Sequence, residues 1–280
     1  MTTLLNPRPF VKWAGGKQAI ASALVAMFPH EFDSFYEPFL GGGSVLLTAR
    51  PKSAVVGDLN AWLLTTYAAI RDAWREVAEV LDTLPNNRHD YLRIRACNPH
   101  SLDRIVQAAH FIYLNKTCFR GLFRVNRKGM FNVPYGEYQR AYYDPLNLEA
   151  VSQALKHVEF RHADFVDTVH GIAASDFAYF DPPYFKLGGY ADFNRYTHCQ
   201  FRETDHERLA ALCRKLDDEG VRWAVSNSDT PFVRELFAGF TMIPVQNRRE
   251  INLNSKERSI RELFIVNYKV SARQRTLFDE

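Results

Sequence analysis

The sequence predicts an α/β fold: a doubly wound sheet interrupted by an inserted, mainly helical segment. Three observations predict it. Short apolar runs of strand type alternate with amphipathic helical stretches on both sides of the middle of the chain. The middle itself, much of Ala61 to Asn115, carries helical patterns with no strand of the same quality between them. A triple-glycine turn joins the first strand to the helix that follows it.

Taken in order, Ser34-Phe35-Tyr36-Glu37 reads as a short buried strand running into Pro38-Phe39-Leu40-Gly41-Gly42-Gly43, and Ser44-Val45-Leu46-Leu47 opens a helix. Ala54-Val55-Val56-Gly57-Asp58 is a second strand ending in a carboxylate. Within the helical middle, Ser101 is the expected N-cap of a helix from Leu102 to Leu114. Strand signals return at Val158-Glu159-Phe160, Phe177 to Phe180, Trp223 to Ser226, Met242 to Val245 and Leu263 to Tyr268. Helices are expected between them at Leu146 to Lys156 and Asp205 to Glu219, the latter opened by the capping box Thr204-Asp205-His206-Glu207. Thr230-Pro231 reads as a cap followed by proline at the first helical position. The last two strands, separated by the polar stretch Gln246 to Arg261, suggest a hairpin adding an antiparallel strand at or near one edge.

At 280 residues, 46% hydrophobic and 24% charged, the chain has room for one large domain plus a smaller inserted one. No apolar run approaches the roughly 18 residues that would cross a bilayer, and the first residues carry no charged segment leading into an apolar one, so a cytoplasmic protein is expected. Cys97, Cys118, Cys199 and Cys213 are scattered, with no paired spacing and no matching histidines; neither a zinc site nor a disulfide framework is expected, and no metal is called for. The net charge of +3 is unevenly spread. Asn86 to Arg140 holds ten Lys/Arg against three Asp/Glu, which leaves the rest of the chain mildly acidic. A basic segment on an acidic body suggests a polyanionic partner met by one region, although a charge run also serves as a plain solvated face.

Two runs point to a ligand. A strand, a glycine turn, a helix and an acid at the end of the next strand is the arrangement that binds nucleoside cofactors: Gly41 and Gly43 let backbone approach the ligand, and Asp58 accepts from ribose hydroxyls. Phe10-Val11-Lys12-Trp13-Ala14-Gly15-Gly16-Lys17 is not a phosphate-binding P-loop, because Val11 and Gln18 stand where a glycine and a Ser/Thr are required. A small zwitterion fits it, with Lys17 on a carboxylate, Glu37 on an ammonium and the Trp13 ring as a cover. Each run alone also admits a structural reading, as a tight turn or a packed tryptophan.

A third run carries chemistry. Asp181-Pro182-Pro183-Tyr184 directly follows an apolar strand, so it emerges at the carboxyl end of the sheet, where α/β folds place ligands. The prolines stiffen the turn and leave the Pro182 carbonyl as an acceptor. An exocyclic amine has two N–H groups, and Asp181 with that carbonyl would receive both, while Tyr184 offers a flat face to a planar base.

Together these runs, Lys12 to Lys17, Glu37 to Ser44, Asp58-Leu59-Asn60 and Asp181 to Tyr184, resemble in order the Dam-type family of DNA adenine-N6 methyltransferases, which are site-specific and S-adenosylmethionine-dependent. Tyr113 to Asn126 and Gly129 to Gly136 resemble that family's target-recognition region, and the likeness spans nearly the whole chain to about Tyr268. The resemblance implies a Rossmann-like methyltransferase sheet in residues 1–60 and 145–270, a helical target-recognition domain in 61–144, and a tail in 271–280. It implies S-adenosyl-L-methionine as methyl donor, held by Trp13, Lys17, Glu37, Gly41, Gly43, Asp58 and Asp181, with Asp164 and Phe165 on its adenine. Asp181, Pro182 and Tyr184 would be catalytic, acting on the N6 of an adenine flipped out of duplex DNA by direct methyl transfer.

DNA contacts are expected from Lys12, Phe119, Arg120, Leu122, Arg124, Pro134 and Tyr138. Phe119 or Leu122 would wedge into the vacated stack and Arg124 would read a guanine, while Arg88, Lys116, Arg127 and Lys128 would serve phosphates. Arg120 stands where many relatives carry Asn. The run from Arg120 to Asn126 otherwise fits a GATC target. Gln274-Arg275-Thr276-Leu277-Phe278 is similar to the peptide that docks on bacterial sliding clamps; a monomer is expected. Rival readings are an N-methyltransferase on RNA or a protein amide, a non-catalytic DNA-binding relative, and an NAD-dependent oxidoreductase, the last disfavoured because the glycine turn lacks G-x-G-x-x-G spacing.

Overall fold

The computed structural model describes residues 5–185, 201–248 and 259–271, so the clamp-like peptide Gln274–Phe278 and Cys199 lie outside the described residues. Among these, seven strands form one sheet: β1 (Phe35–Glu37), β2 (Ala54–Gly57), β3 (Val158–Arg161), β4 (Phe177–Phe180), β5 (Arg222–Ser228), β6 (Thr241–Arg248) and β7 (Ser259–Val266). Their order is β3-β2-β1-β4-β5-β7-β6. The first five are parallel, and β7 runs antiparallel between β5 and β6. The expected hairpin is thus built with its second strand inserted inside the sheet and its first strand at the edge.

The chain order reverses between β1 and β4, which are paired neighbours, so their carboxyl ends flank the crevice where open α/β sheets bind ligands. Helices cover both faces. On one lie α1 (Ala21–Ala26), α2 (Ser44–Ala49), α3 (Ala61–Asp82), α4 (Arg88–Arg95), α5 (Arg104–Thr117) and α6 (Pro145–Ala154), whose apolar residues share a core with Phe35, Val56, Phe177, Tyr179 and Phe264. On the other, α7 (Phe165–Thr168), α8 (Glu203–Asp218) and α9 (Pro231–Leu236) enclose Tyr36, Ala178, Phe180, Trp223 and Ile265.

Two helix starts differ from expectation. Ser101 closes a short 3-10 turn, and Asp103 caps α5 instead, accepting from Ile105 N at 2.9 Å and Val106 N at 3.2 Å. A carboxylate both satisfies these orphan donors and complements the helix dipole, so it wins over a hydroxyl. Helix α8 begins at Glu203, before the expected box; the Asp205 carboxylate reaches back to the Arg202 N–H at 2.9 Å. Thr230 caps α9 as expected, with Pro231 in its first turn.

Candidate functional site

Strand alternation decides which side chains meet. Phe177 and Tyr179 of β4, Ala224 of β5 and Phe264 and Val266 of β7 face the core under the helical insertion, and their neighbours face the other core. With a period of two, Glu37, Ser226 and Glu262 fall on the insertion side as well. The Tyr179 hydroxyl and Ser226 Oγ confirm the side, lying 2.8 Å apart in the buried interior. Because β7 runs antiparallel, its first turns of chain lie at the carboxyl end of β5, with Glu262 opposite Ser228.

Asp181 leaves the end of β4 at this edge. Its oxygen Oδ1 lies 2.8 Å from Lys17 Nζ, and the lysine side chain is only 3% exposed against 17% for the aspartate. This is a short ion pair, and a carboxylate oxygen so engaged still has a lone pair for a second donor. Lys17 also donates to the Gly15 carbonyl at 2.9 Å, and its ammonium lies 4.6 Å from the centre of the Tyr184 ring. Lys17, expected to meet a ligand carboxylate, lies against Asp181 within the chain itself. Burial raises the Asp181 carboxyl to about 6, with Lys17 opposing the rise.

The Asp181–Tyr184 turn is fastened from β5 and β7. Phe185 N donates to Asn227 Oδ1 at 3.3 Å, Ser228 Oγ donates to the Phe185 carbonyl at 2.6 Å, and the Tyr184 hydroxyl donates to Glu262 Oε2 at 2.8 Å. None of Asn227, Ser228 or Glu262 was singled out in the sequence. The signal available was a run of polar residues, Ser226-Asn227-Ser228, ending a strand whose middle is apolar.

Across the switch point, Glu37 is buried, and its Oε2 has no hydrogen-bond partner among the described residues. Desolvation and the nearby Asp181 push its carboxyl well up, opposed by the Leu46 N–H in the first turn of α2 and by Lys17. The glycine turn above it is shaped by two aromatic rings. A Cβ on Gly41, at φ +47°, would stand 2.7 Å from Trp13 Cδ1, and one on Gly43, at φ +64°, would stand 2.6 Å from the Tyr67 hydroxyl. Neither position admits a side chain. Asp58 Oδ2 accepts from Gly41 N at 3.0 Å and Oδ1 from Asn60 N at 2.9 Å, so this carboxylate ties the turn to the end of β2. Burial raises the pKa of its carboxyl, making it a weaker acid, and those backbone donors oppose the rise.

Asp164 and Phe165 follow β3. Asp164 caps α7 and pairs with Arg208 at 2.9 Å, and the buried Phe165 ring packs against Phe39 and lies near the Arg208 guanidinium. A bond between the His162 ring and the Leu59 carbonyl at 3.2 Å brings this segment beside Asp58. The ends of β1, β2, β3 and β4 therefore carry Glu37, Asp58, Asp164 and Asp181 along one rim of the sheet.

The second group of expected residues also converges. Phe119 N donates to the Pro134 carbonyl at 2.8 Å, Arg120 N donates to the Tyr138 hydroxyl at 3.0 Å, and Lys12 Nζ lies 5.3 Å from the Tyr138 ring centre. Phe119 is exposed, with the Arg120 guanidinium over its ring, whereas Leu122 is half-buried against the core. The wedge role expected of either residue thus has an available side chain in Phe119. Arg124 lies on the exposed hairpin, its Nε 2.7 Å from Asn132 Oδ1. Lys116 is partly buried, and burial, Lys12 and Arg140 all lower its affinity for a proton, so these three cations share one patch.

Asn115 joins the two groups. Its fully buried amide accepts from Lys12 N at 2.7 Å and donates to the Lys12 carbonyl at 2.9 Å, and the Gly121 carbonyl lies 3.4 Å from the same Nδ2. Trp13, packed on Gly41, stacks on Phe123 at 5.6 Å between ring centres. The run that shapes the glycine turn and the loop bearing Phe119 are thereby locked into one body.

Known proteins are similar in sequence to this chain over most of its length. The sequence profile of a family described as D12 class N6 adenine-specific DNA methyltransferase matches residues 13–251. The chain is 36% identical to type II methyltransferase M.MjaIII of Methanocaldococcus jannaschii, over 94% of this chain and 100% of that one. It is 33% identical to type II methyltransferase M1.LlaDCHI of Lactococcus lactis subsp. cremoris, over 94% and 96%. With the DNA adenine methylase of Vibrio cholerae it shares 32% identity over 90% and 92%. A rim of carboxylates at the switch point and a matching profile that runs through strands and insertion alike lead to one conclusion: the chain belongs to the D12 class N6 adenine-specific DNA methyltransferases.

Proposed function

We propose that this DNA adenine-N6 methyltransferase takes its methyl group from S-adenosyl-L-methionine and acts on an adenine rotated out of duplex DNA, within GATC. The observation that carries the reading is the contact of Asp181 with Lys17 at the end of β4, beside a buried Glu37 oxygen that has no partner among the described residues.

The residues present fit such a donor. An ammonium beside the unpartnered Glu37 oxygen would offset the burial that pushes its carboxyl up and favour the ionised form. The backbone of Gly41 and Gly43 and the Trp13 ring form the adjoining wall. The Asp58 oxygens, each with one backbone donor, retain further lone pairs for ribose hydroxyls. Asp164 and Phe165 stand at the far end of the rim for the donor's adenine, with Lys17 at the near end. When bound, the donor supplies an electrophilic methyl carbon on a sulfonium.

The chain's own groups do the rest. Asp181, ionised and backed by Lys17, accepts one N6 hydrogen, and the Pro182 carbonyl accepts the other, so the nitrogen lone pair turns out of the ring plane. One face of Tyr184 carries the Lys17 ammonium; the base stacks on the opposite face. Positioning and electrostatics thus supply the rate. Residues 61–144 serve as the target-recognition region. Phe119 fills the gap in the duplex, Arg124 reads guanine, and Lys12, Arg120, Leu122, Pro134 and Tyr138 line the approach.

The test is methylation mapping of plasmid DNA from cells expressing the chain, alongside an Asp181→Ala variant assayed for turnover and duplex binding. Methylation of the adenine in GATC is expected, with the variant binding DNA but turning over about a thousandfold more slowly. Near-normal turnover would remove Asp181 from its role, and a motif with no guanine before the modified adenine would remove Arg124 from its own.

A further inference from the structure

We propose that Glu262 is a positioning residue for methyl transfer, acting through the Tyr184 hydroxyl to fix the plane on which the target base stacks. The inference rests on the reading of the Asp181–Tyr184 turn given above and assigns it a support from β7, two strands along the sheet.

Glu262 sits near the start of β7, where the next four residues, Leu263 to Val266, are all apolar and buried. It is itself 4% exposed. A carboxylate at such a position costs stability relative to an apolar side chain unless it is hydrogen-bonded. Its Oε2 accepts from the Tyr184 hydroxyl at 2.8 Å. The register opposite Ser228 explains how it gets there, since an antiparallel β7 delivers its early residues to the same edge as the ends of β4 and β5.

The turn needs this support. Pro182 and Pro183 have no N–H, so two of the four residues of the turn supply no backbone donor. Asn227 and Ser228 hold the backbone at Phe185, one residue beyond Tyr184. Neither bond reaches the Tyr184 side chain, whose hydroxyl is held by Glu262 and whose ring face meets the Lys17 ammonium. The ring in turn lies over Lys17, and Lys17 pairs with Asp181. A tilted ring would therefore disturb both the stacking face and the catalytic carboxylate, and small misplacements of such groups cost rate. Glu262 also bears on Asp181 directly, its charge adding to the rise of that carboxyl.

The experiment measures kcat, KM for DNA and the pH profile on plasmid substrate for Glu262→Gln, Glu262→Ala, Tyr184→Phe and the Glu262→Ala/Tyr184→Phe pair. Glutamine keeps an acceptor and should retain kcat within about threefold, whereas Glu262→Ala and Tyr184→Phe should each lose about tenfold in kcat. The pair should lose no more than the worse single variant, because both remove the same bond. In Glu262→Gln the acid limb of the profile should move to lower pH, which a purely structural role would not produce. Losses that multiply in the pair, a wild-type kcat in Tyr184→Phe, or an unmoved acid limb would each overturn the proposal. If Glu262→Ala does not fold, the Gln and Phe variants carry the test. Asp181→Ala run in the same assay separates the two readings: normal turnover there ends the underlying one, while a dead Asp181→Ala with uncoupled Glu262 ends only this one.

Discussion

A carboxylate that is to accept both a lysine and an amine must be ionised, and at Asp181 burial works against that. The opposing effects leave its carboxyl at about 6, above the ordinary 3.8. Methyl transfer should therefore rise with pH through about 6 in kcat/KM, with roughly a tenth of the molecules competent one unit lower. The stability linkage has the opposite sense. A carboxyl raised in the folded state favours folding below its unfolded value and loses that contribution as pH rises through about 6. Activity lost at pH 5 without a fall in Tm that Asp181 would cause is the expected pair of results; a flat rate between pH 5 and 7 would contradict the assignment. Arg120 presents a second conflict. Its backbone is left-handed, at φ 59° and ψ 10°, a conformation costing an ordinary L-residue about 1–2 kcal/mol and tolerated better by Asn. That gives a physical reason for the Asn expected at this place. Arg120→Asn should relieve the strain and lose a surface contact with the Phe119 ring worth about 0.5–1 kcal/mol. The net should be about 0.5 kcal/mol of added stability, read as a Tm higher by a degree or two; a lower Tm would show that the guanidinium contact outweighs the strain.

The elements were legible wherever their cause was local. All seven strands were apolar runs in the sequence, and the observed ones begin or end within a few residues of those runs. Helix starts were less so, because Ser101 and Asp103 both offer an oxygen two residues apart, and only the 3-10 turn at Pro99–Ser101 gives α5 to the second. The glycine turn, Asp58 and the Asp181–Tyr184 turn were legible because each is a contiguous motif at the end of a strand. Glu262, Asn227 and Ser228 were not, because their value comes from strand order. Nothing in the polar stretch before Leu263 says that β7 will lie between β5 and β6 and point a carboxylate at a tyrosine 78 residues earlier. Asn115 lay inside a quoted motif, yet its role as the double hydrogen-bonding partner of Lys12, 103 residues away, exists only after α5 has packed beneath the N-terminal run. The pairing of Lys17 with Asp181 was missed for the same reason, two motifs each read alone.

The whole molecule unites what the sequence divides. The insertion was placed at residues 61–144, but the first half of α3 covers the sheet: Arg71 donates to the Val158 carbonyl at 2.7 Å and Tyr67 meets Phe160, both before the irregular backbone at Ala73. Beyond it, Phe111, Tyr113 and Phe123 belong to the same apolar core as Phe35 and Tyr179 of the sheet. Asn147 in α6 and Asn115 in α5 each clamp the N-terminal run, at Arg8 and Lys12, so that run bridges the sequences on both sides of the target-recognition loops. A body joined by a shared core has no weak plane along which one part can melt first. The chain should accordingly unfold in a single calorimetric transition, and excision of residues 73–144 should strip Phe111 and Phe123 from Trp13 and Trp62 and leave no folded remainder. Two transitions separated by several degrees, or a stable truncated sheet, would instead mean that recognition and catalysis reside in units that dock, and the geometry between Trp13, the glycine turn and Phe119 would then be adjustable rather than built in.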